Sequence, residues 1–292
     1  MTAEDTMPDF LHALSNPDIA FLRYALIAGL MASIPFGIIG SYVVTRRISY
    51  IAGAISHSVL GGIGLAIYLK TALHISWCDP MCGALAAALA SALLIGFVSM
   101  YAKQREDTVI GAIWSVGMAS GILFIAKSPG YIDAMSYLFG NILLITRNDL
   151  FVIGGLNILI LLICILFHDK FLAICFDEEF AILRGINVKF YYLLLLCLTA
   201  LTIVLLVRIV GIVMVIAFLT LPAAVGGHFS RRLSFMMFIS AAICMSFTFF
   251  GLWASYSWDL PSGSTIIVFA GLCYILTAIA SQFLKRRKKR IS

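Results

Sequence analysis

Residues 49–68 read SYIAGAISHSVLGGIGLAIY, an apolar run with a single titratable ring, His57, near its middle. As a helix, a run of about 20 residues rises roughly 30 Å, which matches the hydrocarbon core of a bilayer. An imidazole that titrates near neutral pH is costly to hold at that depth. The run therefore predicts a membrane span and raises the question of what His57 does in it.

The rest of the chain is built the same way. Of 292 residues, 62% are hydrophobic and 12% charged, and the mean hydropathy is +1.05. A soluble core cannot enclose that much apolar surface. The runs are long and unbroken, unlike the short alternating strands of a barrel. The expected fold class is all-α, a polytopic integral membrane protein. Nine transmembrane helices are expected, at about 20–44, 51–69, 80–101, 108–126, 149–168, 188–208, 210–229, 233–256 and 263–284. The boundary at Gly211 is the one on which a count of eight would turn.

Lys and Arg in the connections give the orientation. One alternating set of loops carries 15 of the 20 basic residues, including Arg46, Arg47, Lys103, Arg105, Lys170, Arg184, Lys189, Arg231, Arg232 and the tail KRRKKR at 285–290. The other set carries Arg23, Lys70, Lys127, Arg147 and Arg208. The basic set is expected to be cytoplasmic, with the amino terminus outside and the carboxyl terminus inside. The chain then divides into an extracytoplasmic segment at 1–19, a membrane domain at 20–284 and a basic cytoplasmic tail at 285–292. The opening MTAEDTMPDFLHALSNPD is acidic and unlike a cleaved signal peptide, so the first span is expected to act as the targeting signal. The basic tail suits membrane lipid phosphates and predicts no nucleic acid partner. Residues 131–145, with Asp133, Gly140 and Asn141, read as an interfacial or re-entrant piece on the outer face.

Five of the seven cysteines lie in or beside apolar runs as small hydrophobes. Cys78 and Cys82, in WCDPMC, are open to a disulfide, a weak metal site or two free thiols. The chain has no phosphate-binding loop, no H-E-x-x-H helix and no G-x-S-x-G elbow, so it is not expected to be an enzyme, and any ATP hydrolysis belongs to another subunit. Ser56 and Ser58 point about 100° away from His57 on a helix and do not form a nucleophile and base pair with it. His57 itself reads either as a packing histidine or as part of an ion site. Gly53, Gly61, Gly62 and Gly64 surround it, and glycines allow either close helix approach or a helix opened onto a polar cavity.

The longest connection on the basic side, HDKFLAICFDEEFAILRGINVKF at 168–190, contains a second signal. Asp177, Glu178 and Glu179 open a short helix-like piece near 176–186, Phe176 and Phe180 fall four apart, and Gly185 is placed to stop it. Two phenylalanines on one face flanked by acids suggest a docking piece for a soluble partner, the plainer alternative being a polar loop.

As ordered sets, ALIAGLMASIPFGIIGSYVVTRR, AISHSVLGGIGLA, SYLFGNIL, CFDEEFAILRGI, VRIVGIVMVIAFLTLPAAV and DLPSGSTIIV resemble the permease subunits of ABC importers for zinc, manganese and iron(II). The resemblance covers nearly the whole chain. It implies a bacterial cytoplasmic membrane location and a permease dimer, homo- or heterodimeric, with the ion path between its chains. It further implies a cytoplasmic ABC ATPase subunit that hydrolyses ATP and an extracytoplasmic solute-binding protein that delivers the metal. Asp177, Glu178, Glu179, Phe180 and Gly185 fall on the family's coupling helix, and His57 on a histidine that lines the path as a ligand for the transported metal. No permanently bound cofactor is implied. Where the family usually has an aspartate one turn before that histidine, this chain has Gly53, and Gly61 stands where proline is frequent. Gly61, Gly62 and Pro222 are the expected helix break or gate. Asp133 and Asp259 are outer-face candidates for meeting the ion. The rivals are a secondary transporter driven by protons with His57 as the protonation site, and an ABC permease for metal chelates. The first would require an internal repeat and intramembrane acids that the spans lack.

Overall fold

The computed structural model describes residues 3–291 apart from 17–18, 76, 102–105, 131–133, 141–144 and 231. Thirteen α-helices and no strand are found among the described residues: α1 Ala3–Ser15, α2 Ala20–Thr45, α3 Ser49–Thr71, α4 Pro80–Tyr101, α5 Glu106–Lys127, α6 Ala134–Phe139, α7 Arg147–Leu166, α8 His168–Phe176, α9 Glu178–Leu183, α10 Val188–Val210, α11 Ile212–Phe229, α12 Leu233–Trp258 and α13 Ser262–Ile291. Nine of these, α2, α3, α4, α5, α7, α10, α11, α12 and α13, are long and apolar enough to cross a membrane. They match the nine expected segments to within a few residues at each end, except that α13 continues to Ile291 through the basic stretch expected as a separate tail.

α2 and α3 are the most enclosed spans, whereas α4, α5, α7 and α13 turn much of their apolar surface outward, as lipid-facing helices do. α3 lies between α4 and α5, and α2 packs along α12. Both seams rest on small residues. A Cβ at Gly62 would collide with the Gly83 carbonyl oxygen of α4, and one at Gly83 with the Gly62 carbonyl. On the other side of α3, a Cβ at Gly117 of α5 would stand 2.6 Å from the Cα of Ser58. Along α2, Gly29 meets Thr248 and Gly37 meets the backbone of Ala241. The Ser33 and Thr248 hydroxyls, 3.4 Å apart, and the Ser41 hydroxyl, donating to Ser240 at 3.3 Å, add polar links across the α2 and α12 seam.

These contacts revise the expectation of a helix break at Gly61 and Gly62. α3 is continuous from Ser49 to Thr71, and its glycines serve backbone-to-backbone approach. Pro222 likewise lies buried inside an uninterrupted α11. The break falls at Gly211, between α10 and α11, with φ +82. Only glycine adopts that backbone cheaply, and a Cβ there would run into Leu138, Phe139 and Gly140 at the end of α6. The interfacial piece expected at 131–145 is thus represented by α6, packed on the break; Asp133 and Asn141 lie outside the described residues.

The amino-terminal segment, read from sequence only as acidic, forms α1, whose Phe10 is fully buried against Phe249 and Tyr256 of α12, with ring centroids 6.0 and 5.8 Å away. Cys78 and Cys82 are both free thiols.

Because the α3 and α4 crossing has no room for a side chain, Gly62→Ala should destabilise the purified protein by about 1–3 kcal/mol, the cost of overpacking, and lower its thermal unfolding midpoint. Gly111→Ala, on α5 with nothing within 4 Å of the new methyl group, should leave the midpoint unchanged or raise it. Equal shifts for the two would contradict the backbone contact.

Candidate metal path and coupling helix

His57 sits on α3 eight residues after its first residue, about 12 Å along the helix at 1.5 Å per residue. Its imidazole stacks on the indole of Trp114 from α5, with centroids 4.5 Å apart and planes at 17°. Nδ1 is buried with no hydrogen-bond partner. A packing histidine normally donates or accepts through both buried nitrogens, so the orphaned Nδ1 marks a group with unused ligand capacity. Its two neighbours behave differently. The Ser56 hydroxyl donates to the Ile212 carbonyl at 3.0 Å, tying α3 to the first residue after the Gly211 break. Ser58 donates to the Ile55 carbonyl at 2.8 Å and accepts from Ser91 of α4 at 2.7 Å.

Gly53, one turn before His57, is the departure from the family noted in the sequence. Its missing side chain has a structural counterpart: a Cβ there would stand 2.8 Å from Cζ3 of Trp114. Among the described residues no group of three or more His, Cys, Asp or Glu is placed to hold a metal ion, so His57 is without a ligand cluster. On the far side of α3 from the break, α4 and α5 diverge to leave an open apolar groove of about 1060 Å³ floored by Ser58, Gly61 and Gly62.

The 168–190 connection is helical almost throughout. Asp177 ends α8 in an extended conformation and caps α9 by accepting from the Phe180 amide at 2.9 Å. Glu178 and Glu179 occupy the first turn of α9, where acids suit the positive helix end. Gly185, at φ +73, stops it as expected, with its amide donating to Ile182 and that of Ile186 to Ala181. Phe176 and Phe180 do not share one helix face as expected, because the Asp177 cap separates α8 from α9. Both are nevertheless exposed, at 65% and 48%, beside Leu183 at 85%. Arg184 stacks over the Phe180 ring at 4.7 Å.

Glu178 differs from the other acids. It pairs with Arg46, which also donates to the Ile174 carbonyl of α8 and lies 5.0 Å from the Tyr192 ring of α10. Arg46 caps the end of α2, and Arg47, at φ +62, makes the tight turn into α3. Tyr42 of α2 hydrogen-bonds His168 Nδ1 at 2.7 Å, reinforcing the same junction. Burial raises the nearby Cys175 thiol to about 12, against the lowering influence of Arg46, so this cysteine is a structural group. A cavity of about 560 Å³ lined by Arg46, Arg47, Glu178, Lys189 and Tyr192 opens at this end. Among the described residues, the turn after α2 and the 168–190 connection, both assigned to the basic side, therefore meet at one end of the bundle. Arg46 was counted for orientation alone; only its position next to a helix end, eleven residues before His57, hinted at more.

Of the outer-face acids, Asp259 is exposed and caps α12 in the left-handed conformation, and Asp133 lies outside the described residues. Two acids that the sequence did not single out, Asp79 and Asp149, line a cavity of about 380 Å³ with Cys82. Asp149 is engaged in a capping box with Thr146.

The sequence pattern that defines the ABC 3 transport family matches residues 18–281. A protein of Chlamydia pneumoniae described as a probable metal transport system membrane protein is 42% identical over 257 residues, 88% of this chain and 87% of that one. The manganese transport system membrane protein MntC of Halalkalibacterium halodurans is 33% identical over 258 residues, 88% of this chain and 86% of its own. The structure is similar to that of PsaBC from Streptococcus pneumoniae in complex with Fab, with a TM-score of 0.82 at 31% identity, covering 93% of this chain and 95% of that chain.

If Arg46 fastens α9 to the α2–α3 turn, Arg46→Ala should speed amide hydrogen exchange across 177–186 by about tenfold, the effect of losing a charge-assisted hydrogen bond. Exchange within α3 should not change. Unaltered protection of α9 would show the contact to be incidental.

Proposed function

The chain belongs to the ABC 3 transport family, and from that premise we propose that it is the membrane-spanning permease of an ATP-driven importer for a divalent transition-metal ion. It is a multi-pass protein of the bacterial cytoplasmic membrane. Manganese is the first cargo to test, because several relatives are named for it; zinc and iron(II) follow, since the same imidazole nitrogen serves all three and selection among them rests on geometry and availability.

One observation carries the reading: His57 is held inside the bundle with an unpaired Nδ1, on the helix that follows the turn fastened through Arg46 to α9. A cargo ligand and a docking element are thereby linked through one short turn. In the proposed cycle, a solute-binding protein delivers the ion from outside to a path beside His57, completed by a second permease chain. A cytoplasmic ABC ATPase receives Phe176, Phe180 and Leu183, with Glu179 and Asp177 at the rim. Its ATP-driven closure moves α9 and opens the path to the inside. The Lys and Arg bias supports the orientation that places α9 in the cytoplasm. Glu178 acts within the chain through Arg46 and not as a docking acid. Binding along the path is weak, because an ion held tightly does not leave.

His57→Ala should cut manganese uptake in proteoliposomes by tenfold or more while the variant still co-purifies with its ATPase; uptake equal to wild type would make the ring a packing residue. Phe180→Ala and Glu179→Lys should abolish the stimulation of ATP turnover by loaded binding protein and leave His57 untouched, and intact stimulation in both would remove α9 from the coupling role.

A further inference from the structure

Trp114 occupies the one place along this part of α3 where a side chain is missing. Its six-membered ring lies against Gly53, so close that a Cβ there would stand 2.8 Å from Cζ3 and 3.2 Å from Cη2. Ile216 of α11 comes within 3.7 Å of the same point and closes the space from the other side. The indole then lies nearly parallel to His57 at 4.5 Å. Any residue larger than glycine at position 53 would push the ring off this seat.

The stack does not interfere with ligation. The nitrogen lone pairs of imidazole lie in the ring plane, whereas the indole covers a face. What the indole adds is electrostatic. An imidazole that has taken up a dication carries positive charge, and the electron-rich face of indole is the strongest aromatic partner for such charge. Among the described residues no acidic cluster offers itself to a cation at His57. A π face stabilises the loaded ring without the full attraction of an anion.

Resting on the reading of His57 as a residue of the ion path, we infer that Trp114, seated on Gly53, is its positioning residue and the electrostatic partner of its ion-bound form. The stack holds the imidazole in one orientation when empty and favours it when loaded. Gly53 is part of the same device, because it provides the space the indole needs.

The test uses the permease with its ATPase in lipid nanodiscs or proteoliposomes, with Mn²⁺ as the probe. Mn²⁺ is paramagnetic and quenches an indole beside it, so tryptophan emission reports on Trp114 above the background of Trp77, Trp253 and Trp258. Saturable quenching is expected in the wild type and should disappear in both Trp114→Phe and His57→Ala. Trp114→Phe keeps a stacked ring and should import with a half-saturating Mn²⁺ concentration close to wild type. Trp114→Leu and Gly53→Ala should each raise that concentration by about five- to tenfold, in line with a desolvated cation–π contact. Their combination should be no worse than the larger single effect, since both remove one stack. Quenching that survives in Trp114→Phe or in His57→Ala overturns the inference. So does wild-type import by Trp114→Leu alongside a crippled His57→Ala, a result that leaves the ion-path reading standing. Wild-type import by His57→Ala strikes that reading itself.

Discussion

The structure depends on backbone-to-backbone contact between helices. Lipid tails are as apolar as leucine, so helices in a bilayer gain little from covering each other's hydrophobic faces and rely on close packing and hydrogen bonds. The α3 crossings with α4 and α5 meet that requirement at Gly62 with Gly83, Gly64 with Gly121 and Gly117 with Ser58, where main chains touch. The seam of α2 with α12 repeats the device at Gly37, and at Gly29 it admits the Thr248 side chain. A helix pinned on two sides in this way cannot open in the middle, and α3 does not. The regular helix is interrupted instead at Gly211, between α10 and α11.

Three consecutive polar residues on α3 show how that pinned helix organises its surroundings. Successive side chains point about 100° apart, so each addresses a different neighbour. Ser56 donates to Ile212 on α11, His57 stacks on Trp114 of α5, and Ser58 accepts from Ser91 on α4. Each hydroxyl has a hydrogen-bond partner, while Nδ1 of the ring between them does not find one. The nitrogen left without a partner is thus on the residue with metal-binding chemistry.

Much of this was legible in the sequence. The nine apolar runs follow directly from bilayer thickness. The acids that open α9 and Gly185 as its stop were readable from local chain chemistry, although the capping role of Asp177 was not. What was not legible depends on partners distant in the chain. The glycines at 61 and 62 fit a break and a close approach equally well until Gly83 and Gly117 are brought against them. Gly53 looked like the loss of a ligand, and only the position of Trp114, 61 residues further on, shows the space to be filled. Arg46 and Glu178, 132 positions apart, carry no joint signal in sequence at all.

Packing also gathers most spans into two bodies, with α10 packed against both. α3, α4 and α5 hold one another through glycine crossings, and α2, α12, α11 and α13 hold one another through theirs, while α2 and α3 touch little beyond their shared turn. That turn is Arg46, Arg47 and Ile48, and Arg46 ties it to α8 and α9. A push on α9 in the proposed importer therefore reaches the junction between the bodies first. α3, which carries His57, meets α11 through the Ser56 hydrogen bond to Ile212, beside the Gly211 break, and again at Gly53, where Ile216 closes on the Trp114 seat.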